Sequence, residues 1–321
     1  MTKIFVLASG RSGTKYLSSL FKHNVKNCVS RHEPYPSMFG LPIYWYQEKK
    51  VEEIRKLFLK KKKRITRCRA DVYIETNNAF LKSFSDVATE FFPDLKLIHV
   101  IRNPLTVARS QLNRHIWLKK MHFPLTQYYI GDDGKKYFKW TLTGKEDIFQ
   151  SVTVPGDALG STGNNAINKY NVPDNNNAPG NNNVPGNNNA PGNYNALGNY
   201  NALGNVLTPY QYLVLQWIEI ENRAMRFLDK YQKHHECYTL FAPEDLNNSE
   251  ILEDLFRFFG LEQKERRIHL CGRKNKNAIP TVVTEEDQKQ FKDIIRRLPD
   301  SYLKIFREKP YTGCDWVKLL S

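Results

Sequence analysis

No apolar run in this 321-residue chain approaches the roughly 20 residues that a membrane-spanning helix needs. The N-terminus carries one lysine and flows directly into a β-like segment, with no small-residue cleavage pattern, which is not the form of a secretory signal. Cysteine is sparse. Cys28, Cys68, Cys237, Cys271 and Cys314 are odd in number and widely, irregularly spaced, which argues for reduced thiols and against a disulfide frame or a zinc site. Together these absences lead us to expect a cytoplasmic protein with no membrane span. Acidic residues are outnumbered, 33 against 48 basic ones, for a formal charge of +15. Such a balance suits nucleic acid, membrane surfaces or small polyanions. No nucleic-acid-binding signature accompanies it, so no nucleic-acid partner is expected. The densest basic run, residues 60–64, follows an amphipathic stretch at 51–59 and reads as a solvated helix end.

Charge is nearly missing from residues 151–205, where Asp157, Lys169 and Asp174 are the only charged residues. From 169 to 204 the chain repeats every six residues: KYNVPD, NNNAPG, NNNVPG, NNNAPG, NYNALG, NYNALG. Hexapeptide repeats can wind parallel β-helices, but those coils need an aliphatic side chain facing inward, and the position is proline in four of the six units. A turn-rich solvated loop is expected, disordered over about 169–204. Residues 118–205 therefore read as an insertion, partly ordered at first through Tyr128, Tyr129, Phe138 and Trp140. It divides one domain into an N-terminal part, 1–117, and a C-terminal part, 206–321.

What is present is an alternation of strand and helix signals in a chain that is 40% hydrophobic and 12% aromatic. Strands are expected at 4–8, 27–31, 72–75, 97–101 and 237–241. Helices are expected at 15–22, 51–59, 80–91, 105–114, 210–231, 251–259 and 285–296. That order predicts an α/β fold, a doubly wound parallel sheet flanked by helices, with ligands at the carboxyl ends of the strands.

The first strand runs into Ser9-Gly10-Arg11-Ser12-Gly13-Thr14 and then into a helix. Two glycines allow a tight turn, backbone N–H groups can point inward, and the helix adds its positive end, which makes a phosphate cradle. The spacing differs from GxxxxGK[ST], with only two residues between Gly10 and Gly13. A second anion site is expected where the strand at 97–101 ends in Arg102-Asn103-Pro104 and feeds a helix carrying Arg109 and Ser110. Many P-loop hydrolases have a magnesium-holding Asp after such a strand. An arginine fork cannot hold a metal but suits a terminal phosphate, with the Ser110 hydroxyl as a further donor. Two phosphate sites and no metal site are the reading.

These residues resemble the sulfotransferases that use 3′-phosphoadenosine 5′-phosphosulfate (PAPS) and release adenosine 3′,5′-bisphosphate (PAP). In that family a GRSGT or KSGT loop holds the 5′-phosphosulfate and an RxPxxxxxS stretch holds the 3′-phosphate; here they read Gly10 to Thr14 and Arg102 to Ser110. Further likeness lies in Gln216-Trp217-Ile218-Glu219 with Asn222-Arg223-Ala224, and in Pro243-Glu244-Asp245-Leu246 followed by 251–261. The resemblance covers roughly 2–115 and 207–290 and implies a P-loop-type fold, PAPS as donor and no metal. It also implies that Arg11 neutralises the oxygens of the breaking bond, that Thr14 and Lys15 lie by the phosphate, and that Tyr16 stacks on adenine. Cys271-Gly272-Arg273-Lys274-Asn275 resembles the family's basic loop over the 3′-phosphate; a solvated basic turn and, for Tyr16, a core position are the plainer readings.

A hydroxyl acceptor needs a general base just past the second or third strand. His32, Glu33 and Glu75 lie there. Glu33 is favoured, because several carbohydrate and tyrosylprotein sulfotransferases carry a catalytic glutamate at that place. His32 has the right unperturbed pKa, yet neighbours on an extended chain point to opposite sides, so one of the two should face the site. Glu75, in Glu75-Thr76-Asn77-Asn78, stands where the sulfotransferases it resembles have a histidine or an EKTP segment, and this chain has neither pattern. The acceptor, small molecule, carbohydrate or peptide, is not encoded. A P-loop small-molecule kinase using ATP and a catalytically silent nucleotide-binding protein remain as alternatives.

Overall fold

The computed structural model describes residues 1–120, 127–152, 207–272 and 279–320. Five parallel strands form its main sheet: β1 (Thr2–Ala8), β2 (Cys28–His32), β3 (Val72–Thr76), β4 (Lys96–Arg102) and, after a small hairpin, β7 (Cys237–Ala242). Their spatial order is β2-β3-β1-β4-β7. The chain leaves β1 to build one side, β2 and β3, then crosses back to place β4 against β1's other edge. That reversal opens a crevice beyond the carboxyl ends of β1 and β4, the usual ligand position in such sheets.

Alternation along the strands sends side chains to two separate cores. Phe5 and Leu7 of β1 enter one, and Ile4, Val6 and Ala8 enter the other. The smaller core is closed by α1 (Thr14–Asn24) and α8 (Ser249–Phe258), whose Leu17, Phe21, Leu255 and Phe256 are buried. The larger core is covered by α3 (Val51–Thr66), α4 (Ser85–Phe91), α5 (Pro104–Lys120), α7 (Pro209–Lys230) and α9 (Glu285–Arg297). Both sheet faces are sealed, as an all-parallel sheet requires. Helix α7 starts cleanly because Pro209 follows a reciprocal cap between Thr208 and Gln211.

Several expectations change in detail. The expected helix at 80–91 begins as a π turn, Phe80–Phe84, before α4. Helix α3 runs on to Thr66, so the basic run at 60–64 is inside the helix, and Lys61 is buried rather than solvated. Helix α5 continues to Lys120, past the expected start of the insertion, with Leu118 buried. Two helices, α2 (Leu41–Gln47) and α6 (Asp147–Ser151), and the hairpin β5 (Tyr128–Ile130) with β6 (Lys136–Phe138) carry no strong signal in the sequence. Residues 127–152 pack on the larger core through Leu142, Ile148 and Phe149. The hexapeptide repeats lie outside the described residues. No helix among the described residues is long and apolar enough to cross a membrane.

Candidate active site

The cradle is shaped by two left-handed residues. Arg11 has φ 71° and Gly13 has φ 94°. At Gly13 the backbone also passes so close to α8's approach that an added Cβ would lie 2.7 Å from Leu246 Cδ1, so a side chain is excluded twice, by φ and by space. The hydroxyls of Ser9 and Ser12 share a buried hydrogen bond of 2.8 Å that draws the loop closed. Helix α1 starts directly on Gly13 with no side chain capping its first turn. Its first backbone N–H groups and the positive end of its dipole are thereby left to a ligand.

Two loop carbonyls are held by side chains from β4 and α5. Gln111 Nε2 donates to Gly10 O at 3.2 Å, and Arg102 Nη1 donates to Arg11 O at 2.7 Å. Gln111 is itself fixed by Gln216 Nε2, 2.8 Å from its Oε1, and Gln216 Oε1 accepts from Leu142 N at 2.8 Å. A line of amides thus joins α7, α5 and the cradle. Arg11 Nε donates to Ser110 Oγ at 3.1 Å. The residues expected at two separate anion sites therefore touch one another. Arg109, one residue before Ser110, turns away to a bonded pair with Asp287, its Nε donating to Oδ2 at 2.7 Å, and ties α5 to the start of α9.

The cradle, Arg102 and Ser110 open on one cavity of about 690 Å³, lined by Gly10 to Tyr16 and reaching past Gln111 to His32, Glu33, Asn78, Lys82, Arg114, His115 and Trp140. Thr14 is buried, Lys15 is exposed, and Tyr16 is half-buried, lining the cavity while packing against the smaller core. Burial pushes the Tyr16 hydroxyl's pKa up. Arg273 and Lys274 lie outside the described residues.

His32 and Glu33 both line the cavity. The expectation that only one would do so rested on extended alternation, and Glu33 breaks it with φ 49°. His32 Nδ1 lies 2.9 Å from Thr76 O, a group that only accepts, so Nδ1 carries the proton and Nε2 keeps its lone pair. Nε2 is 3.9 Å from Glu33 Oε1. Burial holds the imidazole's pKa below its ordinary value of 6.5, with Glu33 opposing and the Lys15 and Arg114 charges adding to the depression. Glu33 Oε1 accepts from Asn78 Nδ2 at 2.7 Å.

Glu75 is elsewhere. It is fully buried on β3, does not line the cavity, and spends both oxygens internally: Lys61 Nζ at 2.7 Å and Asn77 Nδ2 at 2.9 Å on Oε1, Tyr73 OH at 2.9 Å on Oε2. The expected catalytic placement of Glu75 is corrected to a buried ion pair. Lys61 also donates to Pro34 O at 3.1 Å, and Asn77 Nδ2 to Ser37 O at 3.1 Å, so the pair braces the segment just after Glu33.

Asn78, Lys82, Gln111, Arg114, His115 and Trp140 line the cavity without being expected as site residues. Lys82 stands four residues after Asn78, the spacing of neighbours on a helix, and that was the one available signal. It is buried, with its pKa pushed down to about 7 by desolvation while Glu33 opposes the shift. His115, also buried, is pushed down to about 3 by desolvation and packs edge-on against Phe138, ring centroids 4.3 Å apart. Arg114 lies over the Trp140 ring at 5.4 Å. The cavity thus has a cationic, amide-lined end at the cradle and an end with two neutral imidazoles, a carboxylate and a buried amine.

No protein-family model matches the chain, and no curated protein matches it in sequence. Among solved structures, a sulfotransferase from Alicyclobacillus acidocaldarius aligns over 96% of this chain and 99% of its own, at 11% identity and a TM-score of 0.44. What the site can do is argued below from its own residues.

Proposed function

We propose that this chain transfers a sulfuryl group from PAPS to a hydroxyl or amine acceptor and releases PAP. The observation that carries the reading is the junction of Arg11 with both Arg102 and Ser110 in a cavity whose other end holds Glu33 and the neutral His32. One adenine nucleotide with two phosphorylated ends fits that arrangement. The uncapped start of α1, the Gly10 to Thr14 loop, Arg11 and Lys15 suit its 5′ end; the Arg102 fork and the Ser110 hydroxyl suit its 3′-phosphate. When bound, the donor supplies an electrophilic sulfur and a phosphate leaving group.

The chain's residues then divide the work. Glu33 takes the proton from the acceptor as the acceptor's oxygen or nitrogen forms its bond to sulfur. His32 Nε2, alongside, is the second proton acceptor within reach. As the bond from sulfur to the bridging oxygen breaks, negative charge moves onto the 5′-phosphate, where the Arg11 guanidinium and the first amides of α1 meet it. Preorganised donors of this kind, in a partly closed cavity, stabilise developing charge without reorganisation. Arginines and amides serve here in the role that magnesium serves in many phosphoryl transfers.

Transfer of radiolabelled sulfur from PAPS to a mixed panel of phenols, amino sugars and tyrosyl peptides, run with a chelator present, tests this directly. Label on an acceptor with stoichiometric PAP supports the reading. Phosphorylation of an acceptor from ATP with magnesium, and none of that sulfur transfer, would replace it with the kinase alternative. Nucleotide binding with neither reaction would leave a silent binding protein.

A further inference from the structure

Lys82 is a buried amine lining this cavity. Its Nζ lies 2.7 Å from Trp140 O and 3.3 Å from Asn78 Oδ1. Burying an amine on two neutral acceptors is unfavourable, and an apolar side chain would fill the same space more stably. The geometry around it gives the reason for an amine. Because Lys82 donates to the oxygen of the Asn78 amide, that amide must present its Nδ2 on the other side, and there it donates to Glu33 Oε1 at 2.7 Å.

We propose that Lys82 is a positioning residue for Glu33, acting through Asn78: it fixes which way the Asn78 amide faces. Without that donor the Asn78 amide is held from the Glu33 side alone, and the carboxylate it positions is less firmly placed. The relay starts at the carbonyl of Trp140, in the segment between α5 and α7, so the packing of that segment is coupled to the proposed base. Lys82's use in catalysis rests on the sulfuryl-transfer reading; the coupling itself does not.

The charged and titratable groups facing Lys82 come from four places. Glu33 follows β2, Arg223 projects from α7, Glu146 precedes α6, and His115 lies on α5. Glu33 and Glu146 favour the ammonium, while Arg223 and burial oppose it. Lys82 therefore titrates near neutrality, and that titration reads the coupling from the lysine's side, since an interaction between two sites is reciprocal.

The experiment is a side-chain carbon NMR titration of Lys82 in the unliganded protein, assigned with Lys82→Met. Glu33→Gln and Asn78→Ala are each expected to move the Lys82 midpoint to lower pH, and Glu75→Gln to leave it in place. A midpoint unmoved by Glu33→Gln would overturn the coupling. The second arm measures PAPS conversion over the acceptor panel. Lys82→Met and Asn78→Ala are each expected to lower kcat by roughly a hundredfold, with PAP affinity within about twofold of the parent and the double variant no worse than either single one. Losses that multiply, or a fall in PAP affinity matching the fall in kcat, would show that Lys82 acts by another route. Lys82→Met keeps the bulk and removes a buried charge, so its Tm should equal or exceed that of the parent, separating lost positioning from lost folding. No conversion by the parent protein, with the titration shifts intact, would overturn the sulfuryl-transfer reading and Lys82's catalytic use together, leaving the coupling alone.

Discussion

Arg102, at the end of β4, donates from Nη1 to the carbonyl oxygen of Arg11 across 2.7 Å. The two segments are 91 residues apart in sequence, and this bond sets the distance between the proposed grips for the two ends of one nucleotide.

Arg102→Ala removes the fork for the 3′-phosphate and the tie on the loop. A hydrogen bond to a charged group contributes about 1.5–3 kcal/mol, so PAP affinity should fall by roughly ten- to a hundredfold while AMP affinity changes much less. Isothermal titration of both nucleotides checks it. Equal losses for PAP and AMP would mean that Arg102 serves only the loop.

Gly13→Ala meets two obstacles, the φ of 94° and the 2.7 Å approach to Leu246 Cδ1. The left-handed conformation alone costs a side chain about 1–2 kcal/mol. Nucleotide binding should drop at least tenfold. Adding Leu246→Ala should restore part of it, because only the steric half is relieved. Full restoration would show that backbone conformation at Gly13 is immaterial.

Glu75 and Lys61 should behave as a buried pair. Lys61→Met or Glu75→Gln alone leaves a buried group without its partner, at about 3–5 kcal/mol, and Tm should fall by several degrees. Changing both, Lys61→Met with Glu75→Leu, should recover much of that. PAP binding by the folded fraction should stay at the parent level in all three. A Glu75→Gln variant that is fully stable but loses turnover would return Glu75 to the catalytic list.

For His32 the sign follows from its depressed pKa. Below 6.5 the unfolded chain takes up a proton that the folded imidazole resists, so this group's contribution to stability is whole above 6.5 and is lost as pH falls toward the folded value. His32→Asn should flatten the slope of Tm against pH in that window. The imidazole also stays neutral somewhat below pH 6.5, so transfer should persist there. An unchanged slope would contradict the assigned burial of His32.

Much of this site is legible in the sequence because its core is local. Ser9 to Thr14 is a contiguous turn between a strand and a helix, and Arg102 to Ser110 is another. Patterning alone gives the parallel sheet, since strand and helix signals alternate along the chain. What is hidden depends on tertiary packing. Glu75 and Lys61 look like a strand-end acid and a solvated basic run, and only the contact of α3 with β3 turns them into a core pair. His32 and Glu33 share the cavity because Glu33 adopts a left-handed φ that no residue type announces. Lys82 and Trp140 meet over 58 positions of sequence, and nothing near either one encodes the other.

The central claim is that one adenine nucleotide is gripped at both phosphorylated ends by amides and guanidinium groups. Isothermal titration of the unmodified protein with PAP, AMP and ATP, with and without magnesium, tests it most directly. PAP should bind at least roughly a hundredfold more tightly than AMP, as two charge-assisted contacts imply, and without need of metal. Tighter binding of magnesium ATP than of PAP, or equal binding of PAP and AMP, would contradict the account.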